Sequence, residues 1–296
     1  MKNKVIVLII SLIIAIIVLC VGIYGVKKVK SGNNKNSEKN SSSGEMNSEK
    51  NVEEDTSAEE KDTSDDAQQG SSEDKPEENT TSESDKYNNN NIDPSKPMVA
   101  LTFDDGPGGE NTIRILDALK AHNGHATFFV VGYNIDGHED ILKRAVEEGS
   151  EIGNHTASHE KLTSLDAEGI NSQIQSVESR VKEITGQERV IIRPPYGAAD
   201  ENVMSLLSSP VILWSIDTED WKTRDANSTI ANVQANVYDG AIILMHDIYS
   251  QTADAAVSII EWLDSQGYQM VTVSELGYYR RGGLQTGVKY GSLAPN

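Results

Sequence analysis

Cysteine is nearly missing from these 296 residues. The single cysteine, Cys20, lies inside an apolar run near the start. The rest of the chain therefore has no internal disulfide and no thiol nucleophile. Cations are scarce as well: 26 Lys and Arg stand against 46 Asp and Glu, a net charge of −20. Such a chain repels phosphate backbones, which argues against nucleic acid as a partner. No G-x-S-x-G turn occurs, so the elbow of a Ser-His-Asp esterase is missing. Large apolar side chains almost vanish from Ser31 to Lys96, where 18 acidic and 7 basic residues lie among Ser, Asn and Thr. That stretch cannot bury enough apolar surface to offset its ordering entropy. Residues 27–96 are expected to be a disordered, acidic tether.

Charge is also missing from Val5 to Val26, a run of 22 residues rich in Ile, Val and Leu. At ~1.5 Å per residue it spans about 33 Å, enough to cross a bilayer core. The apolar part of a secretory signal peptide is shorter, ~7–15 residues, and ends in a small-residue cleavage site. The run is expected to be an uncleaved transmembrane anchor, with residues 1–4 in the cytoplasm. Lysines flank both ends, so the positive-inside rule is silent on orientation.

Residues 97–296 have the length and apolar content of one domain. Strand-like and helix-like segments alternate there. Apolar, β-branched segments at 98–105, 126–132, 151–154, 190–193, 211–217, 241–245 and 269–273 read as strands. Helical spacing appears between them, most clearly where Ile170, Ile174, Val177, Val181 and Ile184 form one stripe. Seven such βα units with continuous apolar strands predict a parallel sheet covered by helices, as a doubly wound open sheet or, better suited to the polar clusters described next, a closed or nearly closed barrel.

Polar clusters follow the carboxyl ends of five predicted strands: "DDGP" at Asp104, "NHTASH" at Asn154, "RPPYG" at Arg193, "DTEDW" at Asp217 and "LMHD" at Leu244. In (β/α) barrels that rim is where active sites are built. Helix caps also gather at such ends, but caps favour Ser, Thr, Asn and Asp and do not explain three histidines, an arginine and a tryptophan. His155 and His159, four apart, would share a face of a helical turn and reach one metal ion. A carboxylate from another strand end completes a two-His, one-carboxylate set with open positions. This suits the adjacent pair Asp104-Asp105. A cation neutralises one, and the other stays ionised beside it as a base. Spacing alone does not say which is which. His122 and His125 fall at the opposite end and read as exposed turn residues, and His138 as a helix start.

Together the five motifs resemble the polysaccharide deacetylases of carbohydrate esterase family 4, the NodB homology domain, over Pro97 to Leu276. The resemblance implies a distorted (β/α)₇ barrel and a single divalent metal, zinc with cobalt or nickel as alternatives. It implies Asp104 as general base, oriented by Arg193, and Asp105, His155 and His159 as metal ligands, with Thr156 bracing their loop. It implies that the Tyr196 backbone N–H stabilises the oxyanion and that His246 is the general acid, tuned by Asp220. Trp221 and Leu244 would line the slot for the acetyl methyl. Tyr133 departs from the pattern, standing where a small residue is common, as does Gly-Gly-Glu-Asn-Thr after "DGP". Both departures bear on substrate preference.

The expected activity is N-deacetylation of an acetylated glycan by a monomeric, single-pass membrane protein with its catalytic domain outside the cytoplasm. Peptidoglycan suits the anchor and tether first, exported poly-N-acetylglucosamine second, and O-acetylated xylan third. A non-catalytic glycan-binding domain would need a lost metal or base position, and every position is intact. A two-carboxylate glycosidase would need separated carboxylates and no metal set.

Overall fold

The computed structural model describes residues 92–295. The expected anchor and tether at 5–26 and 27–96 lie outside those residues except for the last few of the tether. Among the described residues no helix is long and apolar enough to cross a membrane.

The chain alternates strand and helix: β1 (Met98–Asp104), α1 (Glu110–Ala121), β2 (Thr127–Val130), α2 (Glu139–Glu147), β3 (Glu151–Asn154) and α3 (Ala167–Thr185). There follow α4 (Glu201–Leu206), β4 (Val211–Ile212), β5 (Ile216–Asp217), α5 (Asp220–Thr223) and α6 (Ala226–Asn236). The last are β6 (Ala241–His246), α7 (Ser250–Ser265), β7 (Gln269–Met270), α8 (Val273–Arg281) and β8 (Lys289–Tyr290).

The main sheet runs β3-β2-β1-β6-β5, with β7 also paired to β1, and every pairing in it is parallel. All seven residues of β1 are buried, as expected for a central strand covered on both faces. Its apolar side chains divide between two cores. Val99, Leu101 and Phe103 pack under α1, α2 and α7, while Met98 and Ala100 face the interior with Phe129, Ile191 and Ile242.

The stripe on α3 is buried as its spacing predicts, at Ile170, Ile174, Val177 and Val181. Asp166 caps its first turn through Gly169 N–H, and Gly186 ends it at φ 72°, a backbone region that glycine enters without steric cost.

The seven even staves of the sequence reading differ from the structure in three places. Residues 190–193 form no ladder: Ile192 alone bridges Asn154 of β3 and Val211 of β4. The two prolines after Arg193 have no N–H to extend one. The segment 211–217 splits into β4 and β5. Ser215 N–H then bonds Ile242 on β6, while Leu213 N–H bonds Tyr290 on β8. Finally, the C-terminal segment adds an eighth strand, which forms a two-stranded sheet with β4. β8 pairs in parallel with β4, and Leu293 is fully buried.

Candidate active site

All five polar clusters emerge at the same rim, because parallel strands present their carboxyl ends together. β1 delivers Asp104 and Asp105. Asp104 is buried and accepts from Arg193 Nη1 at 2.7 Å. The fully buried Arg193 also donates to Thr102 Oγ1 (2.8 Å) and to the Leu213 carbonyl (3.0 Å), and its guanidinium lies 4.1 Å from the centroid of the Phe129 ring. That lattice fixes Oδ1 of Asp104 and leaves Oδ2 facing the cleft, 3.7 Å from His155 Nε2.

Asp105 turns the other way, at φ 72°. Its Oδ1 lies 3.5 Å from His155 Nε2 and 3.3 Å from His159 Nε2. These three residues can each offer a ligand atom, and the atoms lie within 4.8 Å of one another. The two histidines were expected on one face of a helical turn. Instead they sit on a loop in which Thr156 (φ 70°) and His159 (φ 57°) take left-handed backbone. The loop brings the imidazoles to 5.0 Å between ring centroids.

A metal ion fits these residues on two observations. Asp105 Oδ1 is buried with no hydrogen-bond partner, a costly state unless a cation meets it. His155 Nδ1 lies 2.6 Å from the Arg193 carbonyl, which can only accept, so Nδ1 carries the proton and Nε2 is the bare ligand atom. Burial pushes the His155 pKa below its usual value against the pull of Asp104 and Asp105, favouring the neutral form that binds metal.

On β6, beside β1, His246 is the register partner of Asp104, and Asp220 at the start of α5 grips it twice, through Nδ1 (2.9 Å) and the backbone N–H (2.8 Å). Thr252 Oγ1 donates to the same carboxylate at 2.8 Å. Burial alone would lower the His246 pKa. The Asp220 hydrogen bond and charge, with smaller help from Asp104 and Asp105, outweigh it and raise the imidazole to about 8. The same partnership lowers Asp220 despite its burial. Asp247, the next residue along the chain, turns from His246. It accepts from Thr112 Oγ1 and from Gly108 N–H (3.4 Å). A Cβ on Gly106 would collide with that carboxylate, so "DDGP" needs glycine there.

Tyr196 lies in a 3-10 turn, Pro195–Gly197, with φ 61°. Its ring is 70% exposed and meets the His159 ring edge-on at 5.0 Å. Trp221 is half-exposed on α5, and Leu244 is buried on β6. Thr156 is fully buried with an unpartnered Oγ1. His138 precedes α2 as expected. His122 pairs with Asp264 at 2.8 Å on the surface. His125 corrects the exposed-turn reading: it is part-buried against Glu275 at 3.0 Å. Neither joins the rim.

Sequence reasoning missed Thr102, Asn134 and Thr252. Asn134 Nδ2 holds the Asp105 carbonyl at 2.7 Å. Asn134 and Thr252 lie outside the five clusters, where single Asn and Thr residues carry no spacing signal, while Thr102 opens the first motif, Thr102 to Pro107, but was given no role.

The family model for polysaccharide deacetylases matches residues 91–209. The chain is 44% identical over 185 residues to the peptidoglycan-N-acetylmuramic acid deacetylase PdaC of Bacillus subtilis, covering 62% of this chain and 40% of that one. It is 43% identical over 192 residues to the peptidoglycan-N-acetylglucosamine deacetylase PgdA of Listeria monocytogenes, covering 65% and 41%. It thus spans about two fifths of the length of these relatives. A family 4 acetyl xylan esterase from Clostridium thermocellum, solved with a cobalt ion, superposes with a TM-score of 0.62 at 32% identity, over 66% of this chain and 98% of that one. The solved structure of Bacillus subtilis PdaC gives a TM-score of 0.62 at 43% identity, over 64% of this chain and 95% of the solved one. Likeness of that extent fixes the family: this chain belongs to the polysaccharide deacetylases.

Proposed function

We propose that the chain is a metal-dependent hydrolase that removes N-acetyl groups from N-acetylglucosamine-type residues of an extracytoplasmic glycan, foremost peptidoglycan. The observation that carries this reading is the meeting of two devices at one rim. The Arg193-held Asp104 adjoins the Asp105–His155–His159 set, and the Asp220–His246 pair stands beside it, with His246 the register partner of Asp104. The names of the relatives support peptidoglycan. The bridged path from β3 through Ile192 to β4 supports reading the sheet as a distorted (β/α)₇ barrel.

Asp105, His155 and His159 would hold the ion, and zinc suits a two-His, one-carboxylate set, with cobalt or nickel as alternatives. Such an ion polarises an amide carbonyl and makes water acidic near neutral pH. Asp104 Oδ2 takes the proton of the attacking water, since Oδ1 is committed to Arg193. His246 delivers a proton from Nε2 to the departing amine, since Nδ1–H is committed to Asp220. The Tyr196 backbone N–H faces the developing oxyanion. Trp221 and Leu244 bound the acetyl methyl, an apolar slot that disfavours larger acyl groups by ~1–3 kcal/mol per methylene. The run at 5–26 anchors the chain in the cell membrane, and the acidic segment tethers a monomeric domain to the wall outside.

Acetate release measured side by side on peptidoglycan, poly-N-acetylglucosamine and acetylxylan tests the reading. Fastest release from peptidoglycan is expected. Faster release from acetylxylan would replace the substrate with an O-acetyl ester. No release from any of them would favour a glycan-binding role.

A further inference from the structure

Tyr133 is a large aromatic residue that the proposed chemistry does not use. β2 pairs with β1 on one side and β3 on the other. The turn after β2 therefore emerges between the strand ends that carry Asp105 and His155. That turn, Gly132–Asn134, is fastened on both sides. Gly132 and Tyr133 donate their N–H groups to the carbonyls of Thr156 and Ala157, each at 3.0 Å. Asn134 holds the Asp105 carbonyl at 2.7 Å, and Arg180 Nη1 holds the Gly132 carbonyl at 3.0 Å. The backbone of Tyr133 is thus pinned to both ligand-bearing segments.

Its side chain has the opposite character. It is 60% exposed. Among the described residues its ring has no aromatic partner and its hydroxyl no hydrogen bond. Burying such a side chain would be the ordinary way to gain from its area. Here a fixed backbone presents an open face. A rigid aromatic of this kind binds at low entropic cost, because only two side-chain torsions need ordering. Its natural complement beside an acetyl-sugar site is the apolar C–H face of a pyranose ring. Tyr196, 70% exposed, flanks the histidine loop from the Arg193 side, so the two tyrosines stand on opposite sides of that loop.

We propose that Tyr133 is a stacking platform for a second pyranose ring of the glycan chain, next to the sugar that loses its acetyl group. It makes the site selective for chains over single sugars. This rests on the deacetylase reading, and the test keeps the two apart.

The metal-loaded full chain is assayed on N-acetylglucosamine and on its oligomers of two and four units, as wild type, Tyr133→Ala, Tyr133→Phe and Tyr238→Ala. Tyr133→Ala should raise KM for the dimer and tetramer about three- to tenfold, the scale of one aromatic contact. The ratio of dimer to single-sugar KM should rise with it, and kcat should stay within about twofold. Tyr133→Phe should restore the ratio, and the remote Tyr238→Ala should not move it. An unchanged ratio in Tyr133→Ala, or an equal loss at all lengths with kcat falling too, would overturn the platform. If wild type releases no acetate from any oligomer, the deacetylase reading fails on its own. Binding of the same oligomers, followed by tryptophan fluorescence, then decides. Affinity that no longer grows with length in Tyr133→Ala supports the platform, and unchanged affinities overturn it.

Discussion

His155 and His159 reach the Asp105 carboxylate from a loop built on left-handed residues, and as the proposed metal ligands each would be needed. Two protein ligands rarely hold a catalytic zinc. His155→Ala or His159→Ala should lose the bound metal, as read by elemental analysis of the purified protein. Asp105→Asn should lose much of its affinity, and Asp104→Asn should keep it. Retained metal in both histidine variants would sink the assignment. The His246 imidazole, raised to about 8, carries a second test. A raised pKa keeps the acid protonated until the pH passes about 8. Asp220→Asn removes the main cause of the rise, so the alkaline limb of kcat/KM should move to lower pH with metal content unchanged. A cation at Asp105 would cancel part of the smaller help from that side and leave Asp220 as the cause that persists. A limb that stays in place, or moves only in Asp247→Asn, would show the wrong partner. At this scale the sequence was informative about identity and poor about direction. The five clusters name every residue of the pair and the set. Neither spacing nor composition could show that Asp104 turns to Arg193 and Asp105 to the histidines. That depends on φ 72° at Asp105, which no sequence pattern announces.

The long elements were legible because their signals are periodic. Helix α3 has four buried stripe positions, an Asp166 cap and a Gly186 stop. Strand β1 is one apolar run. The short elements were legible in place but not in extent. β4 and β5 lie within the expected strand 211–217 and β7 within 269–273, while β8 was not anticipated; each has two residues, too few to show a period of two. Helix α8 escaped because its apolar start, Val273, continues the β7 run. Its marker is the capping box formed by Thr272 and Glu275. The C-terminal segment yields a prediction of its own. Leu293 is fully buried, and its N–H bonds the Gly240 carbonyl at 2.8 Å. Leu293→Ala should cost about 2–5 kcal/mol in urea unfolding with little change in metal affinity. A loss below about 0.5 kcal/mol would show that the segment covers the sheet without supporting it.

For the whole molecule, we propose a split between the described domain and a long acidic lead, on composition alone: 18 acidic residues among Ser and Asn cannot form a core. Protease added to intact cells should therefore cut within the lead and release a soluble domain of roughly 200 residues that still binds metal. Protection of the full chain would place the domain inside and remove the cell-wall substrate. The central claim is that Asp104 and a metal held by Asp105, His155 and His159 together hydrolyse an acetyl amide. The most direct measurement is acetate release from peptidoglycan by the purified chain before chelation, after chelation and after zinc is returned, with metal-replete Asp104→Asn alongside. The account predicts release that stops with chelation, returns with zinc, and falls roughly 10²–10⁴-fold in Asp104→Asn. Undiminished release after the metal is removed, or a full rate in Asp104→Asn, would contradict it.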